Sequence, residues 1–407
     1  MNMNWKKNIV LFLTSQTISL FGSSLVQYAI MWYITLETQS GVMMTISIIC
    51  GFVPSFFLSP FAGVWADRLN RKRLIILSDS LIAVTTLVLA ILFFMGYNTI
   101  WLLFIMSAIR SLGSGIQTPA IGAFIPQIVP GDRLMKVNAT NGSIQSLVML
   151  ISPMLSGTLL TFAPIEAIFF IDVFTAAIAV VVLILFLRVP AHAKAAEKQT
   201  VSYLDDLRKG VNYISNHAYV KKFFLFCAAF FFLAAPVSFL TPLQVTRNFG
   251  ADVWRLTAVE IAFSLGMIVG GIIMASWGGF KNRIYTMVLG SLIIGACTFV
   301  LGIGPAFILY LVMMGVCGIT MPMFNTPATV LLQQKVEGDF LGRVFGVLGM
   351  ISSSMMPLGM LVFGPMSDYI KIEWILLGTG VLLFLIGFFL LGSKVMVNAG
   401  KATENIV

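Results

Sequence analysis

Apolar stretches long enough to cross a bilayer return again and again along this chain, and they leave few architectures open to it. About 20 consecutive apolar residues span the hydrocarbon as a helix, and twelve such windows fit along the sequence: 9–36, 41–66, 74–95, 99–127, 139–163, 165–188, 222–246, 254–276, 284–303, 305–332, 342–368 and 372–393. Windows above the minimum length imply tilt or protrusion. Of the 407 residues 58% are hydrophobic and only 10% charged, against roughly a quarter charged in an ordinary soluble domain. A water-soluble fold of this size cannot hide so much apolar surface. In hydrocarbon every backbone polar group must be satisfied within its own segment, so the chain is read as an all-α membrane protein of twelve transmembrane helices. Pro119 and Pro327 fall inside the fourth and tenth windows, where neighbouring helices must satisfy the carbonyls that they free.

The basic residues orient the spans. All but four of the 25 Lys and Arg gather in the loops and termini of one side: Lys6 and Lys7, Arg68 to Arg73, Arg133 and Lys136, the central segment Arg188 to Lys222, Lys281 and Arg283, Lys335 and Arg343, and the tail. Arg247, Arg255 and Lys371 lie on the other side, and Arg110 lies within a span. Positive loops face the cytoplasm, which puts both termini and the central loop there and requires an even number of spans. The net charge of +9 is therefore read as membrane anchoring, and no nucleic-acid partner is expected. Cys50, Cys227, Cys297 and Cys317 sit in apolar segments without metal-ligand spacing and are read as packing residues. The first apolar stretch is too long for a cleaved signal core and is read as a retained helix. The polar segment 189–221 holds both histidines, His192 and His217, and is read as a solvated linker, partly helical over 203–216. It separates an expected first six-helix bundle, 1–188, from a second, 222–393, with a cytoplasmic tail at 394–407.

The two halves echo one another. Thr118-Pro119-Ala120 returns as Thr326-Pro327-Ala328, Gly131-Asp132-x-Leu134-x-Lys136-Val137 returns as Gly338-Asp339-x-Leu341-x-Arg343-Val344, and Arg71-Lys72-Arg73 returns as Lys281-Asn282-Arg283. Order and spacing are nearly constant, so the chain reads as a duplicated six-helix unit forming two pseudo-symmetric bundles. Such repeats can rock about one midplane site, which is alternating access.

Between the second and third windows runs Gly63-Val64-Trp65-Ala66-Asp67-Arg68-Leu69-Asn70-Arg71-Lys72-Arg73. It resembles the cytoplasmic signature of the major facilitator superfamily, with Trp65 for the usual Leu and Asn70 for the usual second Gly. Asn tolerates positive φ, so the turn is expected to survive. Arg68 and Arg71 sit where the second helix exposes its carbonyls, where cations are favoured. The resemblance implies a gating role for Gly63, Asp67, Arg68, Arg71 and Lys72, with Asp67 contacting the start of the eleventh span near Gly342; the alternative is a cluster that only sets topology. The whole chain further resembles the macrolide-efflux branch of the drug:proton antiporters. That resemblance rests on Ile109-Arg110-Ser111-Leu112-Gly113, Phe170-Ile171-Asp172-Val173 and Leu341-Gly342-Arg343-Val344-Phe345. Two exporter motifs are degenerate: the Gly after Arg110 is displaced to Gly113 and Gly115, and the fifth span reads Ser152-Pro153-Met154-Leu155-Ser156-Gly157.

Ionisable side chains within spans are costly unless paired or hydrated, so each is a functional candidate. They are Asp79, Arg110, Asp172 and Glu260, with Asp368 near a helix end. Helical spacing draws polar stripes through Gln16, Ser19, Ser23 and Gln27; through Ser107, Arg110, Ser114 and Gln117; through Asn141, Gln145 and Ser152; and through Thr257, Glu260, Ser264 and Gly271. Such stripes either bond helices together or line a wet cavity, and for neutral Ser and Thr bonding is the favoured reading. The resemblance implies that spans 1, 4, 7 and 10 line the cavity and spans 2, 5, 8 and 11 flank it. The candidate substrate- and proton-coupling residues are accordingly Glu260, Arg110, Asp172, Gln27, Gln117 and Asn325. Asp172 is alternatively a structural partner of Asn or Ser neighbours, and Asp79 is read as an ion-pair partner of the cytoplasmic loop. The ladder Ser47, Gly51, Ser55, Ser59 and Gly63 reads as a packing seam; most Phe and Met residues read as lipid-facing or core, with Phe226, Phe230, Met314 and Met321 open to either that reading or a deformable wall for bulky ligands.

The expected activity is export of hydrophobic drugs, macrolide-like and including cations, in exchange for protons. The alternatives are a carrier of a lysolipid or metabolite, and a non-transporting sensor or assembly factor on the same fold. No nucleotide-binding loop, Cys-His, Ser-His or His-Glu cluster is present in a span, so no cofactor, metal or enzymatic activity is expected. The expected partners are a small hydrophobic substrate, protons and the lipid bilayer, with the protein a monomer in the cell membrane.

Overall fold

The computed structural model describes residues 5–187, 213–304 and 306–401. Every regular element among them is helical. The first six spans are α1 (Trp5–Thr38), α2 (Gly41–Arg68), α3 (Arg71–Phe94), α4 (Ile100–Ile128), α5 (Leu134–Phe162) and α6 (Ile165–Leu185). The seventh is made by α7 (Ala218–Phe239) and α8 (Thr241–Phe249); α9 (Val253–Trp277), α10 (Arg283–Gly302), α11 (Phe307–Lys335), α12 (Gly338–Tyr369) and α13 (Ile372–Gly392) follow, with a short α14 (Lys394–Ala399). Twelve of these segments are long and apolar enough to cross a membrane, and the chain is a multi-pass membrane protein. Most of the linker, with His192, lies outside the described residues.

Several helices overrun the windows. The first begins at Trp5 and the fifth at Leu134, because hydropathy registers only the part inside hydrocarbon, whereas a helix continues into the interface while its backbone groups still find partners. The seventh span breaks where a single window was expected. Pro242 lies in the first turn of α8 and has no N–H for the preceding turn, while the Thr241 hydroxyl donates to the Val237 carbonyl. The basic turn also differs from expectation. Asn70 has φ −68° and ψ 109°, and its side chain accepts from the Arg73 N–H at 3.2 Å. It is an N-cap for α3 and needs no left-handed backbone.

The chain divides into two compact units, Met1–Thr38 with Ile46–Gln199, and Gln39–Thr45 with Thr200–Val407. Within the first, α1 packs on α5 and α6, and α3 on α4 and α6. Within the second, α7 packs on α12 and α13, and α10 on α11 and α13. These are the same pairings six spans later, the tertiary counterpart of the sequence echoes.

The surface is inverted relative to a soluble protein. On α9, Leu265, Ile268, Val269 and Ile272 are exposed, a helical stripe suited to acyl chains, while Gly266 and Gly270 turn inward. A Cβ on Gly266 would collide with the Gly315 carbonyl oxygen of α11, so only glycine permits this approach. The expected seam on α2 is shorter than the ladder suggested. The Ser55 N–H donates to Ser111 Oγ of α4 at 3.1 Å, and Ser59 donates to the Gly115 carbonyl at 3.4 Å. Gly51 and Gly63 have open space where a side chain would stand.

Candidate functional site

Four helices of the first unit bring their polar residues to one interior. The spacing of Gln16, Ser19 and Ser23 places all three on one face of α1, opposite Asp79 and Thr86 of α3, Arg110 and Gln117 of α4, and Asp172 of α6. Gly22 sets the approach of α1 to α6, since a Cβ there would collide with Thr175 Oγ1 and lie 3.0 Å from Asp172 Oδ1.

Two clusters result. In one, Arg110 Nη1 lies 2.5 Å from Asp172 Oδ2. Thr86 Oγ1 donates to the same carboxylate oxygen at 2.9 Å and accepts from Arg110 Nη1, while Ser23 Oγ donates to Asp172 Oδ1 at 3.1 Å. Arg110 Nη2 also reaches the Ser23 carbonyl at 3.3 Å. Asp172 is fully buried, and its partners supply the compensation that a buried carboxylate needs. In the other, Asp79 Oδ1 accepts from Ser19 Oγ at 2.8 Å and from Gln117 Nε2 at 2.6 Å, and Oδ2 accepts from Gln16 Nε2 at 3.2 Å. Asp79 is 1% exposed. The expected ion pair with the cytoplasmic loop is absent from these contacts: α3 turns Asp79 toward α1 and α4, while Arg71 and Lys72 at its start bind carbonyls instead.

The candidate residues thus separate. Arg110, Asp172 and Gln117 meet within the first unit. Gln27 is exposed and makes no side-chain hydrogen bond among the described residues. In the second unit Glu260 is half-buried on α9, between buried Thr257 and Ser264, and makes no hydrogen bond or ion pair among the described residues. Asn325 is exposed, and only its carbonyl is engaged, by Thr329 Oγ1 at 2.9 Å. Of the residues open to a core or a wall reading, Phe226, Phe230 and Met314 are buried, and Phe230 stacks on Phe324 at 4.4 Å. Aromatic stacking within the unit has claimed these faces.

In the basic motif, Arg71 ties two helix ends together, donating from Nε to the Ala66 carbonyl at 2.9 Å and from Nη1 to the Ala123 carbonyl at 3.0 Å. Lys72 Nζ donates to the Leu187 carbonyl at 2.7 Å. Arg68 is exposed. The Asp67 side chain and the side chains of residues 341–343 lie outside the described residues, and with them the expected Asp67 contact.

A further charged group escaped the sequence reading except as a residue near a helix end. Asp368 Oδ1 accepts from the Gly41 N–H at 2.7 Å and Oδ2 from the Val42 N–H at 3.0 Å and Ser40 Oγ at 2.8 Å. Arg247 Nη2 completes the cluster at 2.9 Å from Oδ1 and 2.6 Å from the Gln39 carbonyl oxygen. The carboxylate thereby caps the first turn of α2, which with the preceding Gln39 and Ser40 groups with the second unit as far as Thr45. The available signal was a lone Asp at one helix end and a lone Arg at another, which local pattern cannot join.

The sequence profile of the Major Facilitator Superfamily matches residues 12–360. Macrolide efflux protein A of Streptococcus pyogenes is 29% identical over 377 residues, covering 92% of this chain and 93% of its own. A protein of the same name from Enterococcus faecalis is 28% identical and covers 79% of this chain and 99% of its own. Among solved structures, a bacterial homologue of the human lysosomal transporter Spinster, in an inward-facing and unoccupied conformation, superposes with a TM-score of 0.71 at 13% identity, covering 99% of both chains. That likeness shows the fold, and with the profile match over most of the chain and the twelve spans, it follows that this protein belongs to the Major Facilitator Superfamily and is one of its transporters.

Proposed function

We propose that the protein exports hydrophobic drugs, macrolides and cationic compounds among them, in exchange for protons. The observation that carries this reading is Glu260, a carboxylate inside a membrane span with no bonded partner among the described residues. A carboxylate in a span is stable when protonated or when a cation stands beside it. A proton and a cationic drug can therefore alternate at one group, which is exchange driven by a proton gradient. Similarity to Macrolide efflux protein A over 92% of the chain supports the substrate class. The bias of Lys and Arg supports a cell-membrane orientation with both termini cytoplasmic.

The test is accumulation of a labelled macrolide in cells with and without the protein, before and after collapse of the proton gradient. Cells with the protein are expected to accumulate less drug, and to lose that difference on collapse. Equal accumulation in both cells sinks the macrolide reading. Export that survives collapse sinks proton exchange.

A further inference from the structure

We propose that Asp79 is a proton-binding site within the first unit, taking up and releasing a proton in the same interior as the Arg110–Asp172 ion pair. Its use in transport rests on the proton-exchange reading above; the proton binding itself does not.

The two carboxylates differ in what they are bonded to. Asp172 faces a guanidinium, and a guanidinium only donates. It satisfies a carboxylate but offers nothing to a carboxylic acid hydroxyl, and Arg110 lies 2.5 Å from Asp172. Asp79 faces Gln16, Gln117 and Ser19, and each of these can both donate and accept. With the carboxylate, the two amide N–H groups and the hydroxyl donate, as observed. With the acid, a reversed amide presents its carbonyl oxygen to the Asp79 O–H while the remaining groups still donate. The same three side chains thus satisfy both forms without displacing a helix. The proton leaves to solvent as Asp79 ionises and returns from it, and no other bond changes.

Charge balance points the same way. Arg110 is matched by Asp172, so an ionised Asp79 adds one uncompensated charge at a site 1% exposed. Among the described residues no cation is bonded to Asp79. α4 presents Arg110 alone; α6 presents Asp172, with Glu166 in its first turn; α1 has no titratable residue between Lys7 and Tyr28; and on α3 Arg71 and Lys72 bind backbone carbonyls. Of the three partners, Gln117 lies closest to a proline: Pro119, two residues on, sits inside α4 and has no N–H for the preceding turn.

The experiment is infrared difference spectroscopy of the purified full-length protein across a pH titration, reading the carbonyl stretch of protonated carboxyl groups. Aspartate labelled with carbon-13 at its carboxyl should shift a titrating band in the wild-type chain, which needs no variant to fold. Asp79→Asn should remove that band, whereas Glu260→Gln should leave it. Gln117→Leu should keep the band but move its frequency, because a partner of the acid is gone. A titrating band insensitive to aspartate labelling, or one unchanged in Asp79→Asn, overturns the proposal. Absence of proton-driven macrolide movement with the aspartate band intact overturns the exchange reading and leaves the proton site standing.

Discussion

Arg110 Nη1 and Asp172 Oδ2 stand 2.5 Å apart across α4 and α6, and neither residue has solvent to fall back on. Removing one member strands the other charge, at a cost of about 3–5 kcal/mol. Arg110→Ala and Asp172→Ala should therefore each lower the thermal unfolding midpoint and the yield of monodisperse protein. Arg110→Met with Asp172→Leu should recover most of that loss, since it removes both charges together. Single variants melting at the wild-type temperature would show that the pair does not hold the unit together. Gly22→Val should destabilise the same region by about 1–3 kcal/mol through overpacking, measured in the same melts.

Glu260 is expected to behave differently, since among the described residues no ion pair depends on it. Glu260→Gln should leave the melting temperature close to that of wild type, weaken export of cationic substrates far more than that of neutral ones, and flatten the pH dependence of drug binding. Glu260→Asp should retain part of both. Cation export at the wild-type rate with an unaltered pH profile in the Gln variant would make Glu260 a structural residue.

Arg71 bonds carbonyls at the end of α2 and on α4, and charged hydrogen bonds of this kind contribute about 1.5–3 kcal/mol each. Arg71→Ala should alter the transport rate and the conformational balance seen by site-directed labelling, and Asp67→Asn should act in the same direction. If both variants export at the normal rate and only insertion efficiency falls, the motif serves topology alone. Arg71→Lys should rescue incompletely, because one ammonium cannot reproduce the guanidinium fork.

Orientation can be read directly. With the four native cysteines replaced, Lys281→Cys, exposed between α9 and α10, should react only with reagent admitted to the cytoplasm. Tyr97→Cys, exposed between α3 and α4, should react from outside intact cells. The reverse pattern would overturn the assignment of both termini to the cytoplasm.

The solvent, the count of twelve spans and the duplication are all legible along the chain, because each depends on local quantities: the length of an apolar run, the sites of Lys and Arg, and the return of short motifs. Which polar group meets which is settled by packing alone. Gln16 and Asp79 are 63 residues apart, Arg110 and Asp172 are 62, and Ser40 and Asp368 are 328. Asp79 is legible as an intramembrane carboxylate, yet its partners are Gln16, Ser19 and Gln117 rather than the cytoplasmic loop, and of the two readings open for Phe226 and Phe230, core or cavity wall, packing settles on core. The difference comes from helix rotation. A soluble helix declares its buried face by amphipathic contrast, but a membrane helix is apolar nearly all round, so its facing is set by close packing, as Gly22 sets α1 against Asp172 and Thr175. Until those steric contacts fix the rotation of each helix, the same polar stripe can be turned toward any neighbour.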